Sequence, residues 1–155
     1  MTDRVMAVIK KSGRGRKLKY SYEQRAGTIT TNQGGNASQV IVDYDENNGV
    51  RKVKHITVSM AYGGSVSDPT AIWWAVVYNP AGVTNDQLYV DNGRMYEPNQ
   101  YVMGCGCFDF NSGPLRVHIP VSRNLNSGDK ICLLLRANSP NVGYIYCCSY
   151  AIAYN

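Results

Sequence analysis

The sequence predicts an all-β domain, a sandwich or barrel of eight antiparallel strands. Its 155 residues suffice for one domain and no more. Only 17% of the residues are charged, whereas 12 tyrosines and 15 glycines favour strands and the turns between them. Short apolar or alternating runs recur between turn-forming clusters, and no segment shows the 3.6-residue period of an amphipathic helix.

Eight such runs follow residue 26. The predicted strands span residues 27–32, 38–44, 52–62, 71–79, 101–110, 114–121, 129–137 and 144–154. Clusters rich in Asn, Asp, Gly and Pro separate them. Residues 131–135 are apolar throughout and predict a strand that is buried on both faces, whereas the alternation in residues 52–58 predicts one wet face.

The longest gap between predicted strands covers residues 80–100. Its Asn, Asp, Gly and Pro content predicts a surface excursion with room for one helical turn. Loops of this length in compact domains usually carry function. We therefore expect substitutions in this excursion to disturb contacts with partners more than the stability of the fold.

Positive charge is concentrated at the N-terminus. Residues 1–26 hold eight basic side chains and two acidic ones, a net charge of +6, so the other residues carry −1 of the chain's total of +5. The division predicts a basic arm over residues 1–26, disordered without a partner, and a β domain over residues 27–155. A cationic segment beside a near-neutral body is typical of polyanion-binding proteins, because neutralised phosphates release counterions.

A second basic cluster lies at the start of the third predicted strand. Alternation places Lys52 and Lys54 on one face, where they either extend the positive surface of the arm or form an ordinary polar strand face. The predicted nucleic-acid-binding residues are Lys10, Lys11, Arg14, Arg16, Lys17, Lys19, Arg25, Lys52 and Lys54. Residues 10–17 also fit a nuclear import signal. The only apolar stretch of the arm, residues 5–9, is too short to span a bilayer, so no membrane partner is expected.

Neither a metal site nor a catalytic site is predicted. The five cysteines are odd in number, and their spacing suits neither a disulfide framework nor zinc, which predicts reduced thiols that mostly act as small hydrophobes: Cys105, Cys107, Cys132, Cys147 and Cys148. No nucleophile elbow, metalloprotease motif or phosphate-binding loop is present, and neither histidine has an evident acid–base partner. The sequence predicts a protein that is not an enzyme and has no cofactor.

Aromatic residues follow the strand period. Trp73 and Trp74 are adjacent and should face opposite ways, one into the core and one onto a second surface. The tyrosines at positions 144, 146, 150 and 154 have even spacing and should share one face. Both sets fit packing better than a platform for bases.

Three stretches of the second half resemble the capsid proteins of circular, Rep-encoding single-stranded DNA viruses, the circovirus-like group. They are residues 72–82 (IWWAVVYNPAG), 96–106 (YEPNQYVMGCG) and 122–131 (SRNLNSGDKI), and a tyrosine-rich final strand follows them. The resemblance covers residues 50–155. It implies a single eight-stranded jelly roll, a T=1 icosahedral shell made of copies of this chain, an inward-facing basic arm on single-stranded DNA, and delivery to the host nucleus by import machinery. The protein would then occur in the virion and, during assembly, in the nucleus.

A jelly roll also implies a strand order. With the eight strands labelled B to I along the chain, strands B, I, D and G would form one sheet and C, H, E and F the other. Two other functional classes fit an all-β domain with a basic arm. One is a nucleic-acid-binding β-barrel that forms no shell, and the other is a lectin-like jelly roll whose long loops bind carbohydrate.

Overall fold

The computed structural model confirms the predicted all-β architecture. It describes residues 19–43, 51–63, 72–82, 89–91, 94–96, 101–109, 114–137 and 141–154. The strands are β1 (Tyr20–Thr30), β2 (Asn36–Asp43), β3 (Arg51–Tyr62), β4 (Ile72–Asn79), β5 (Tyr89–Asp91), β6 (Arg94–Tyr96), β7 (Val102–Phe108), β8 (Leu115–Leu125), β9 (Lys130–Ala137) and β10 (Gly143–Ala153). Across these ranges no residue is helical, and hence no helix is long and apolar enough to cross a membrane.

Eight of the strands form two four-stranded antiparallel sheets that pack as a jelly-roll sandwich. Their orders are β1-β10-β3-β8 and β2-β9-β4-β7. With the long strands labelled B to I, these are the B-I-D-G and C-H-E-F sheets that a double Greek key requires, so the predicted strand order is confirmed.

The hydrophobic core lies between the two sheets and is built from alternate residues of each strand. Its members with no exposed surface include Ile41, Val53, Ile56, Val58, Ile72, Val76, Leu125, Ile131, Leu133, Leu135, Tyr144, Cys148 and Ile152. Burying each large aliphatic side chain stabilises the fold by about 1.5–3 kcal/mol. Residues 131–135 are all buried, as predicted, because β9 is a central strand with both faces covered.

The adjacent tryptophans divide between the two faces of β4, as predicted. Trp74 is buried in the core, whereas Trp73 is half-buried on the outward side with Val77 and Leu134. The even-numbered tyrosines of β10 likewise share the core face. Period-two alternation therefore located these aromatic side chains correctly.

The first strand begins earlier than predicted. Residues 20–26, assigned to the arm by their charge, belong to β1, which pairs with β10 from Tyr20 opposite Ala153 to Thr30 opposite Gly143. Ile29 is the only residue of β1 that is buried. The strand is held by its backbone ladder at the sheet edge and has no apolar alternation that a sequence pattern would reveal.

The described residues of the excursion between β4 and β7 contain two short strands and no helical turn. These are β5 and β6, which pair as a two-stranded ladder with Tyr89 opposite Tyr96. A ladder this short gives a sequence only three residues a side in which to show alternation, too few to separate from a loop.

Candidate nucleic-acid interface

The outward side of the sheet β1-β10-β3-β8, here called the outer face, is where the predicted basic residues of the domain meet. Register places two rows across it. One row is Tyr20, Ala153, Lys52 and Asn124, and the next is Tyr22, Ala151, Lys54 and Ser122. Because inward and outward positions alternate along each strand, the two lysines share this side, as predicted.

The lysines lie beside the small outward residues of β10. Between β1 and β3, strand β10 contributes small outward residues, and Ala151 and Ala153 are 4% and 1% exposed. Lys54 Nζ lies 4.7 Å from the centre of the Tyr20 ring. This cation–π contact holds the ammonium group at the surface, where it is able to meet an anion.

The described outward positions of the outer face carry cations and no carboxylate. Its outward positions are Tyr20, Tyr22, Gln24, Ala26 and Thr28 on β1; Ile145, Cys147, Ser149, Ala151 and Ala153 on β10; Lys52, Lys54, Thr57, Ser59 and Ala61 on β3; and Arg116, His118, Pro120, Ser122 and Asn124 on β8. None of these twenty residues is a carboxylate. A face with cations and no acid has a positive potential that attracts polyanions.

The arm enters the domain at this face. Lys19 is exposed and directly precedes Tyr20, whose row ends with Lys52 and Asn124. Five predicted binding residues, Lys10, Lys11, Arg14, Arg16 and Lys17, lie outside the described residues. Arg25 does not join the two lysines, because it pairs with Cys148 and so lies on the inward side of β1, exposed at the sheet edge.

Two histidines continue the outer face along β3 and β8. His55 adopts a φ of 55° at a bulge that interrupts the register between Lys54 and Ile56. The bulge brings its ring parallel to that of His118, with 5.8 Å between centroids and 15° between planes. A hydrogen bond of 3.1 Å joins Thr57 Oγ1 and His118 Nδ1.

A second cluster is built around the carboxylate of Asp129, in the turn before β9. Asp129 is 4% exposed. Its Oδ2 accepts hydrogen bonds from the Tyr78 hydroxyl at 2.5 Å and the Asn126 N–H at 2.8 Å, and its Oδ1 accepts one from the Ala81 N–H at 3.0 Å. The Arg123 guanidinium stacks 3.7 Å from the centre of the Tyr78 ring. The start of the excursion and the turn before β9 are thereby tied together.

The electrostatics of this cluster agree with its geometry. Burial alone would raise the pKa of Asp129, but the hydrogen bonds from Tyr78, Asn126 and Ala81, together with the charge of Arg123, outweigh burial and lower it. Burial, followed by the hydrogen bond to Asp129, raises the pKa of Tyr78. Both carboxylate oxygens are occupied by protein donors, so the cluster has a structural role.

The cysteines do not assemble into a site. Within the described ranges, no three His, Cys, Asp or Glu side chains lie close enough to hold a metal ion. Cys132 and Cys148 are buried, and burial raises the pKa of Cys148 to about 12. The prediction that most thiols act as small hydrophobes is wrong for Cys105 and Cys107, which are exposed on the outward side of the edge strand β7.

Thr57 and His118 form a hydroxyl–imidazole contact of the kind a hydrolase uses. Catalysis by such a pair also needs a group that orients the imidazole and a pocket for the substrate. Both side chains lie on the outer face, whose outward positions contain no carboxylate. The contact therefore gives no support to an enzymatic reading.

The sequence analysis did not predict four other residues of this surface. Tyr20 and Tyr22 lie in the segment that charge assigned to the arm, and Arg116 and His118 lie in a strand with no basic cluster. The spacing of Tyr20 and Tyr22 was a usable signal, because residues two apart on a strand share a face.

No protein-family model matches the sequence, and no curated protein is significantly similar to it. The fold is similar to solved structures of viruses. A structure of Desmodium yellow mottle tymovirus has a TM-score of 0.43 and 15% identity over 91% of this chain and 90% of that one. A crystal structure of tomato aspermy virus has a TM-score of 0.43 and 14% identity over 88% and 80%. A structure of Triatoma virus has a TM-score of 0.39 and 9% identity over 93% and 71%.

Proposed function

We propose that this chain is the capsid subunit of a small virus. Copies of it assemble into a closed T=1 shell. The outward side of the sheet β1-β10-β3-β8, the outer face of the subunit, lines the lumen of the shell, and the basic arm binds the enclosed single-stranded DNA. The observation that carries the proposal is the junction of the two basic elements. Lys19, which would link the predicted arm to the domain, precedes the edge strand of a face that holds Lys52 and Lys54 and no outward carboxylate.

The jelly roll suits a shell for physical reasons. Two sheets packed over one core form a rigid unit whose remaining edges are few and whose loops lie at the ends. Closed assemblies repeat the same contacts by symmetry, so loops at the ends of the sandwich meet neighbours without edge-to-edge aggregation. The cluster around Asp129, which ties residues 79–82 to the turn before β9, keeps one such end in a fixed shape.

Genome binding in this proposal is electrostatic. Lysine and arginine side chains neutralise phosphates and release counterions, which gives affinity without reading the base sequence. The arm supplies most of the charge, and Lys52 and Lys54 continue it onto the domain. The outer face of the other sheet differs, because Ala75, Val77 and Leu134 are buried there.

The finer parts of the proposal come from the sequence resemblance. Membership of the circovirus-like group would give a DNA genome and a nuclear stage in the host. Residues 10–17 would then serve both the genome and the nuclear import machinery. The virion is the proposed location of the assembled protein.

The proposal is tested by purifying particles and measuring their nucleic-acid content. The full chain is compared with a variant lacking residues 1–18 and with the double variant Lys52→Gln/Lys54→Gln. Lys130→Gln is the matched control, because Lys130 is an exposed lysine of the other sheet. Electron microscopy scores particles, and the absorbance ratio at two ultraviolet wavelengths scores packaged nucleic acid.

We expect closed particles from the full chain, a large loss of nucleic acid on deletion of the arm, a smaller loss in the double variant and none in Lys130→Gln. Equal nucleic-acid content in all four proteins would contradict the role given to the arm and the outer face. A full chain that binds nucleic acid but stays monomeric over a range of salt and pH would instead be the shell-free binding barrel. Arm-independent binding of glycans would support the lectin.

A further inference from the structure

We infer that the outer face holds single-stranded nucleic acid by its bases as well as its phosphates, with Tyr22 as the stacking platform and the Lys54–Tyr20 pair beside it. The inference rests on the proposed function, since it places part of the genome on this face. It goes beyond that function, because charge alone distinguishes neither bases from backbone nor single strands from duplex.

The exposure of Tyr22 is the first observation. Its side chain is 80% exposed, although it belongs to a strand that is paired along its whole length. Its neighbour across the ladder is Ala151, which is too short to cover the ring. The ring therefore stands on a rigid backbone with its faces open to solvent, and aromatic rings of this kind are where unpaired bases stack.

The position of the cations is the second observation. Lys54 lies opposite Ala151 on the far side of β10, in the same row as Tyr22. Strands β1 and β3 are two strand spacings apart, about 9.6 Å. A base stacked on Tyr22 thus has a lysine on the other side of β10 for its phosphate. One row along, Lys52 shares its row with Tyr20, whose ring is occupied by the ammonium group of Lys54.

An exposed aromatic ring beside lysines indicates which ligand the outer face binds. Rings with open faces bind a base only if the base is unpaired and unstacked, which excludes the interior of a duplex. Lysines without neighbouring carboxylates favour a polyanion. Single-stranded nucleic acid meets both conditions, and the sequence tolerance of stacking suits a genome of any sequence.

A second exposed hydrophobic residue on the same face provides the control. Ile145 is 53% exposed on β10. It lies six residues from Ala151, about 20 Å along the strand, and its row contains Thr28 and Ala61 without a cation. If general stickiness of the outer face held the nucleic acid, Ile145 would contribute as Tyr22 does.

The test uses the full chain and a fluorescein-labelled oligothymidylate, with a duplex of equal length as competitor. Binding is measured by fluorescence anisotropy over a series of salt concentrations for the wild type, Tyr22→Ala, Tyr22→Phe, Ile145→Ala and Lys52→Gln/Lys54→Gln. Because Tyr22 is exposed on an edge strand, its replacement should leave the fold intact, and circular dichroism checks this.

We expect Tyr22→Ala to weaken single-strand binding about tenfold, to leave duplex binding and the salt slope unchanged, and to be rescued by Tyr22→Phe. The lysine variant should instead flatten the slope by about 0.7 per lost phosphate contact. Ile145→Ala should bind as the wild type does. Equal single-strand affinity of Tyr22→Ala and the wild type, or an equal loss for the duplex, overturns the stacking site.

Photo-crosslinking gives an independent readout. An oligonucleotide that contains 5-iodouracil links to aromatic side chains stacked on the base, and trypsin then cuts after Lys19 and Arg25. We expect the linked peptide to be residues 20–25, which contain both tyrosines. A wild type that fails to bind any nucleic acid defeats the proposed genome binding itself. Normal binding with no link to this peptide defeats only the inference about Tyr20 and Tyr22.

Discussion

Replacing Asp129 by asparagine should destabilise the domain, because the carboxylate accepts three hydrogen bonds, from Tyr78 and Ala81 at the start of the excursion and from Asn126 in its own turn. Asparagine has one oxygen in place of two. In one orientation its NH2 group faces the Ala81 N–H, and in the other it faces both the Tyr78 hydroxyl and the Asn126 N–H. A buried donor left without an acceptor costs about 1–3 kcal/mol, and the bonds that remain lose charge assistance. We expect the free energy of unfolding to fall by about 2–3 kcal/mol and Tm by roughly 5–10 °C.

The same variant should remove a pH dependence. The folded-state pKa of Asp129 is lowered from its ordinary value of 3.8. The stabilisation from the ionised carboxylate is therefore fully present well above pH 3.8 and is lost as the pH falls through the lower folded-state value. The stability gap between the wild type and Asp129→Asn should be full at neutral pH and should narrow below about pH 3.8.

The assay is urea unfolding of unassembled subunits, followed by the fluorescence of the tryptophans, of which Trp74 is 4% exposed in the folded chain. Tyr78→Phe should show a smaller loss of about 1 kcal/mol, since it removes one of the three hydrogen bonds. Asp43→Asn, which changes an exposed carboxylate opposite Lys130 on the neighbouring strand, should lose no more than about 1 kcal/mol. A loss for Asp129→Asn no larger than that of Asp43→Asn, or a gap that does not change between neutral and acid pH, would refute the reasoning.

Two further predictions concern the backbone and the thiols. Gly35→Ala should cost clearly more stability than Gly82→Ala in the same urea assay. Both glycines have φ near +80°, which costs an L residue about 1–2 kcal/mol. An added Cβ at Gly35 would lie 2.1 Å from the Ala137 carbonyl oxygen, whereas no atom of the described residues lies within 4 Å of one at Gly82. Equal losses would show that the turn at Gly35 moves freely. In unassembled subunits, a thiol reagent should modify Cys105 and Cys107 first and Cys148 only after unfolding, as read by mass spectrometry. Cys148 is protected because it is buried and its pKa is raised to about 12. Early modification of Cys148 would contradict the burial.

The sequence predicted those parts of the fold in which burial determines whether a residue is apolar or polar. Strand β9 is apolar because both of its faces are covered, and β3 alternates because only one is. Turn clusters then bounded the strands to within a few residues. The order of strands in the sheets came from the jelly roll as a whole, since pairing between distant strands has no local signal.

The parts that the sequence did not predict depend on contacts without an apolar pattern. Strand β1 is held by backbone hydrogen bonds to β10, and its charge suggested an arm. Asp129 drew no attention as one acid in a turn, because its donors come from residues 78, 81 and 126. Of the candidate interface, Lys52 and Lys54 were found by alternation, whereas Tyr22 was missed. Arg25, predicted to belong to the arm, lies on the inward side of β1.

A reconstruction of assembled particles by electron cryomicroscopy would show whether these jelly rolls form a shell with the outer face of each subunit on the genome. We expect a closed particle in which Lys52 and Lys54 face the lumen and nucleic-acid density lies against the sheet β1-β10-β3-β8. A closed particle with that face on its exterior would contradict the orientation proposed here. A protein that forms no closed particle under any condition that keeps it folded would contradict the capsid itself.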